Sequence, residues 1–82
     1  MIVDCAAAME HLRGKLESSF GKAMAMMILA SASNSVGVST VGITDGDFLR
    51  LADAVCRDQR VIDMWGAAGA ADTAMQWRQL VA

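Results

Sequence analysis

The sequence predicts an all-α protein, a small bundle of three to four helices with one long N-terminal helix. Apolar residues recur at steps of three and four along most of the chain, the spacing of one helix face. Acidic and hydroxyl residues stand where helices would begin, and the chain contains no proline. We therefore expect a single helical domain over residues 1–82, with a core that is marginal for its size.

The first helix is predicted to begin at Asp4, whose carboxylate can cap it. An isolated glycine costs up to ~1 kcal/mol in a helix interior, so the alternative is a bend or break at Gly14 or Gly21. The apolar stripe of this helix comprises Met9, Leu12, Leu16, Phe20, Ala23, Met27 and Ala30.

Four small residues lie off that stripe and form a second face of the predicted first helix. They are Gly14, Ser18, Gly21 and Ala25. Because small side chains let another backbone approach closely, we predict a helix–helix contact on this face.

The segment Ser33 to Ile43 loses the helical period and is rich in glycine and β-branched residues. Such a composition fits a loop or a short strand. The alternative fold is therefore a small α+β protein with a strand near 36–43. Only Met1 to Val3 offers a second strand within the chain, so a strand could instead pair with its copy in another subunit.

Thr44, followed three residues later by Asp47, fits a capping box and predicts a helix that begins at Asp45. Gly66 is a natural C-terminal stop for that helix. Its apolar stripe comprises Phe48, Leu51, Ala52, Val55, Ile62 and Trp65.

After a turn at Gly66 to Gly69, a last helix is predicted with a cap near Asp72. Its apolar stripe comprises Ala74, Trp77, Leu80 and Val81.

The stretch Ala23 to Thr44 carries no charged side chain, although 20% of the residues in the chain are charged. A membrane-spanning helix needs about 20 predominantly apolar residues, and this stretch is too rich in serine, threonine and glycine for one. The segment Met1 to Glu10 has no basic group except its amino terminus, which argues against a signal peptide. We expect a cytoplasmic protein that does not insert into membranes.

No motif for catalysis, cofactor binding or metal binding is present. Cys5 and Cys56 lack partners at metal-ligand spacing, and each is interpreted as a small buried apolar residue. Asp45 and Asp47 flank Gly46, but a calcium loop would need a Glu where Cys56 stands. There is also no phosphate-binding GxxxxGK and no nucleophile elbow. The chain is therefore predicted not to be an enzyme.

The run Glu10-His11-Leu12-Arg13-Gly14 resembles the His-x-Leu-Lys-Gly run of histidine phosphotransfer domains. Here the basic residue and the glycine follow His11 at two and three positions, one fewer than in that family. The resemblance implies that His11 carries a phosphoryl group and that a neighbouring cation stabilises the negative charge of that group. The other interpretation is a solvent-facing histidine on an amphipathic helix.

The charge distribution argues against nucleic-acid binding, because seven cations are dispersed among nine acids. The candidate basic cluster is Arg50, Arg57 and Arg60, and each of these has an Asp within four positions. A DNA-binding regulator is thus a minor alternative.

The sequence instead favours a non-enzymatic interaction or regulatory protein. We expect it to form a homodimer and to bind another protein as its partner. Hydrophobic residues make up 55% of the chain, and seven residues are methionine, whose flexible side chain suits binding surfaces. The predicted partner-binding residues are Met24, Met26, Met27, Trp65 and Trp77. The alternative function is that of a small inhibitor from a virus or mobile element, a class that the chain resembles in size and acidity.

Overall fold

Four helices make up the computed structural model, which describes residues 4–39 and 42–81. They are α1 (Cys5–Phe20), α2 (Lys22–Val36), α3 (Asp45–Arg57) and α4 (Gln59–Leu80). Helix α3 packs between α2 and α4, and α1 packs mainly on α2. The predicted all-α fold is confirmed.

The described residues do not favour the α+β alternative. Val36 belongs to the last turn of α2, and Gly37 ends that helix in the left-handed conformation (φ 68°, ψ 34°). The Gly37 N–H donates to the carbonyl of Ser33, as is common where a helix ends at a glycine. Thr40, Val41 and the proposed pairing segment 1–3 lie outside the described residues.

Helix α1 begins where the sequence predicted, because the Asp4 carboxylate accepts a hydrogen bond of 2.8 Å from the Ala7 N–H. This bond satisfies one of the backbone donors left free in a first helical turn. The helix buries Ala8, Met9, Leu12 and Leu16.

The expected long N-terminal helix is instead two helices, and Gly21 separates them. Its backbone (φ 81°, ψ 164°) lies in a region that is essentially restricted to glycine. Gly14, the other candidate for a break, stays inside α1.

The break at Gly21 also changes which residues of α2 face the core. The predicted stripe continued through Ala23, Met27 and Ala30, but these three side chains are exposed. The buried residues of α2 are Ala25, Ile28, Leu29 and Ala32. A single non-helical residue resets the phase of the helix that follows, so the stripe of α1 does not continue into α2.

Helix α3 begins at Asp45 as predicted, and Thr44 Oγ1 accepts a 3.2 Å hydrogen bond from the Asp47 N–H. It ends at Arg57, earlier than the expected stop at Gly66. Asp58 takes an extended conformation and its carboxylate accepts from the Arg60 N–H at 2.9 Å, which starts α4. Gly66 is a kink within α4 (φ 79°, ψ 159°).

Asp72 lies inside α4, where the sequence had predicted a cap. Because α4 resumes directly after Gly66, no further cap is needed at Asp72. The predicted stripe of this last segment otherwise holds, since Trp77 and Val81 are buried and Ala74 and Leu80 pack against the core.

The core lies between the four helices, and its side chains are shielded from solvent. Its largest fully buried side chains are Leu12, Leu16, Ile28, Phe48, Leu51, Val55 and Val61. The accessible surface of 4743 Å² is what a compact monomer of this mass has, about 4700 Å². Apolar side chains outside this core are therefore surface features rather than signs of loose packing.

None of the helices in the described ranges is both long and apolar enough to cross a lipid bilayer.

Candidate interaction surface

The outer face of α2 presents an apolar surface to solvent. Its central line is Ala23, Met27, Ala30 and Asn34, all exposed, with Met27 at 57%. Met24 and Met26 flank this line on opposite sides and are exposed as well. We call these six residues the α2 outer face. After Lys22 it carries no charge, so it offers an adaptable apolar contact.

A groove of about 500 Å³ runs beside Met26, between α2 and α1. Leu29 and Ala30 of α2 line it together with Arg13 and Glu17 of α1. Arg13 also forms an ion pair of 2.6 Å with Glu10.

A second groove of about 400 Å³ lies beside Met24, between α2 and α4. Phe20 and Met64 provide its apolar lining, and Arg60 and Asp63 its charges. Arg60 Nη1 lies 3.9 Å from Met24 Sδ. The α2 outer face thus has an apolar centre and charged margins, the usual anatomy of a protein–protein interface.

The two predicted tryptophan contacts do not belong to the α2 outer face, since both lie on α4. Trp77 is only 4% exposed and belongs to the core, so the expectation that it is exposed is wrong. Trp65 is half-buried, and its Nε1–H donates to Ser19 Oγ at 2.9 Å. The Lys15 Nζ stands 5.1 Å from its ring centroid.

Phe20, Trp65 and Trp77 form what we call the aromatic row. The ring centroids of Phe20 and Trp65 are 6.0 Å apart, and those of Trp65 and Trp77 are 6.1 Å apart. These spacings are typical of attractive aromatic pairs inside proteins. Of the predicted partner-binding set, the structure therefore brings together Met24, Met26 and Met27 and assigns the tryptophans mainly to internal packing.

The small-residue face of the predicted first helix is divided by the break at Gly21. Gly14, Ser18 and Gly21 are exposed, whereas Ala25 is buried. A Cβ added at Gly14 or Gly21 would meet no packed neighbour within 4 Å. Among the described residues, then, no helix packs closely on these two glycines, and Ala25 alone of the four contacts the core.

Both cysteines hold their protons at neutral pH. The Cys5 Sγ–H donates to Asp45 Oδ1 at 2.7 Å, and this bond to a carboxylate raises the pKa of the Cys5 thiol to about 11. Burial raises the pKa of the Cys56 thiol to about 11 as well. Because the thiolate is the nucleophilic form, neither thiol is activated.

The predicted basic cluster consists of arginines that are each paired with an acid. Arg50 contacts Asp47 at 2.6 Å and Arg57 contacts Asp53 at 2.7 Å. The Arg60 side chain contacts both carboxylate oxygens of Asp58, and this hydrogen bonding lowers the pKa of Asp58. These pairs leave little free positive charge for a phosphate backbone.

No protein-family model, curated protein or solved structure matches this chain.

Proposed function

We propose that this protein is a small, non-enzymatic interaction module of a regulatory kind, acting in the cytoplasm through its α2 outer face. One observation carries the proposal: three exposed methionines, Met24, Met26 and Met27, stand together on a helix face without charge. They do so on a chain whose core is already complete.

The amino-acid choice on α2 supports this function. Exposed helix faces of soluble proteins are usually charged or polar, and an apolar one favours aggregation unless a partner covers it. Helix α3 follows that rule, since Arg50 and Arg57 lie on its exposed side. Helix α2 carries alanine and methionine in the corresponding place.

The side chains of the α2 outer face suit a binding role. Methionine is unbranched and adapts its shape to a partner, so a cluster of three can pack against irregular apolar surfaces. The charges along the two grooves would then meet the polar margin of the partner and set the orientation of docking.

The chemistry elsewhere is consistent with a role other than catalysis. The two thiols are protonated at neutral pH. Arg13, the cation that the phosphotransfer pattern would place beside His11, is paired with Glu10. Neither arrangement provides an activated nucleophile.

The test is affinity purification of the tagged chain from its own cells, followed by mass spectrometry. We expect the tagged wild type to recover a defined set of proteins that Met26→Lys and Met27→Lys lose, because a lysine on this face must be desolvated on binding. The matched control is Met75→Lys, since Met75 is 61% exposed on α4 and lines neither groove.

Circular dichroism of each variant shows whether it is folded. Recovery of the same proteins by folded Met27→Lys and by the wild type would contradict the proposal. So would equal losses in Met27→Lys and Met75→Lys.

A further inference from the structure

We infer that a second copy of this chain occupies the α2 outer face, with the two α2 helices antiparallel about a twofold axis midway between Met27 and Ala30. This inference rests on the proposed function, because it names the partner of the same surface.

The spacing of the central line is that of a two-helix seam. Ala23, Met27, Ala30 and Asn34 are separated by four, three and four residues, which keeps them on one side of the helix. This side is opposite the one that buries Ile28 and Ala32. A second helix can therefore lie along the central line without disturbing the core.

The order of large and small side chains favours the antiparallel arrangement. With the twofold midway between Met27 and Ala30, each Met27 packs over Ala30 of the other copy, and each Asn34 packs over Ala23. A parallel pairing in register would instead set methionine against methionine and alanine against alanine. That pairing leaves gaps at the alanines and crowding at Met27, both of which are unfavourable.

The charge of α2 favours the same arrangement. Lys22 is the one charged residue of the helix and stands at its N-terminus, and the last turn has no basic residue. Antiparallel pairing brings each Lys22 beside the last turn of the other copy, where the helix dipole is negative. Parallel pairing would bring the two Lys22 ammonium groups together beside two positive dipole ends.

Asn34 restricts the register further. A single polar residue in an apolar helix seam specifies register and oligomer state at some cost in affinity. At the end of the central line, Asn34 remains near solvent when the helices align about the proposed axis. A shift of the axis by one turn toward Asn34 would cover its amide without a partner, which is unfavourable.

The first test is the mass of the purified chain in solution, by sedimentation equilibrium. We expect the wild type and Met75→Lys to show a dimer of the 8.7 kDa chain. Because the interface contains Met27 twice, Met27→Lys is expected to raise the dimer dissociation constant at least about tenfold. A monomeric wild type at ~100 μM, where even a weak dimer would form, overturns the inference. So does a Met27→Lys chain that is folded and dimerises as tightly as the wild type.

The second test addresses orientation by disulfide formation in a Cys5→Ser background, which removes the half-exposed native thiol. An Ala23→Cys chain is mixed with a tagged Asn34→Cys chain and oxidised. In the antiparallel dimer, positions 23 and 34 of different copies are adjacent. Two positions 23 are separated by eleven helical residues, about 16 Å, too far for a disulfide.

We expect the mixed disulfide between the two variants to predominate. Predominant linkage of Ala23→Cys chains to each other indicates a parallel dimer and overturns the inference.

Failure of this inference can be told apart from failure of the proposed function. A chain that is monomeric in solution, but loses its co-purifying proteins on Met27→Lys substitution, keeps the α2 outer face as an interaction surface. In that outcome the partner is a different protein, and only the second copy is overturned.

Discussion

A hydrogen bond between Cys5 and Asp45 joins the first turns of α1 and α3, which are 40 residues apart in sequence. Asp45 thus has two roles. It accepts this hydrogen bond, and it supplies negative charge at the positive end of the α3 dipole. The bond fixes the proton on sulfur and makes a partly exposed thiol unreactive.

We predict that Asp45→Asn lowers the pKa of Cys5 from about 11 toward the ordinary value of 9.0, because the hydrogen bond to Asp45 is the main cause of its rise. A fall of that size would increase the thiolate fraction at pH 8 by up to about a hundredfold. Alkylation rates measured at several pH values, with the site identified by peptide mapping, give this pKa. Asp63→Asn, on α4, is the control, and an unchanged rate in Asp45→Asn would contradict the assignment.

The thiols of Cys5 and Cys56 make the free energy of unfolding depend on pH in the alkaline range. Both cysteines have a higher pKa in the folded chain than the ordinary 9.0, so they stabilise the fold fully below pH 9. Their contribution is lost as the pH rises toward 11, because the unfolded chain releases these protons first. Urea titrations of the wild type and Cys5→Ala across this range should show a steeper decline for the wild type. Parallel curves would indicate that Cys5 has no shifted pKa.

Residue contacts were predictable from sequence only where they are local. The caps by Asp4 and Thr44 satisfy backbone groups three residues away, so a short motif reveals them. The bonds from Cys5 to Asp45 and from Trp65 to Ser19 depend on how helices pack, and no local spacing indicates them.

At the scale of the elements, the same glycine joint occurs twice. Gly21 joins α1 to α2, and Gly66 joins the two parts of α4. Gly21 and Gly66 have nearly equal backbone angles, φ near 80° and ψ near 160°. Each follows an aromatic residue, Phe20 or Trp65, and those two rings contact each other. One glycine conformation thus redirects the chain at two points that meet in space.

We predict that Gly21→Ala and Gly66→Ala each destabilise the fold by about 1–3 kcal/mol, because alanine rarely adopts this conformation. Gly14→Ala is the matched control, since Gly14 lies inside α1 with open space for a methyl group. That change is expected to stabilise the fold by up to ~1 kcal/mol. Urea denaturation measures all three, and equal effects at positions 14 and 21 would refute the distinction.

Asp58 separates α3 from α4, and we predict that Asp58→Ala destabilises the fold by about 1–2 kcal/mol through loss of the helix cap. Asp58→Asn keeps an oxygen that can accept from the Arg60 N–H, so it should retain most of the cap. Thermal melts of both variants measure the difference. Equal losses would indicate that the ion pair with Arg60, rather than the cap, is what stabilises this junction.

The sequence predicted the helical class of these elements but not all their limits. Helix α2 is apolar on both sides, so either Ala23, Met27 and Ala30 or the alternative set with Ile28 could have faced the core. The backbone at Gly21 decides between them, and periodicity alone cannot. Asp58 was missed because it stands in a series of acids and arginines that looks like a continuous solvated face.

At the scale of the molecule, packing decides which apolar residues are available to partners. Trp77 looked like a binding residue in the sequence because large aromatics are common at interfaces, but the bundle uses it as core. The three methionines predicted to bind a partner, Met24, Met26 and Met27, are exposed, although Met27 had also been assigned to the apolar stripe of the predicted first helix. Whether they bind a partner stays a prediction.

If the chain dimerises, its thermal stability must depend on its concentration. We predict that the melting temperature of the wild type rises by several degrees over about a hundredfold increase in protein concentration, because mass action favours the folded dimer. Calorimetry of Met27→Lys over the same range should give a smaller rise in melting temperature, because its dimer is weaker, and Met75→Lys should follow the wild type. A wild type without concentration dependence would contradict dimerisation.

The aromatic row also gives the molecule an intrinsic fluorescence signal. The chain has two tryptophans and no tyrosine, so its intrinsic fluorescence arises chiefly from Trp65 and Trp77, both in that row. The row lies where the two glycine joints meet, because Phe20 precedes Gly21 and Trp65 precedes Gly66. Emission is therefore expected to report on the packing of α1 against α4.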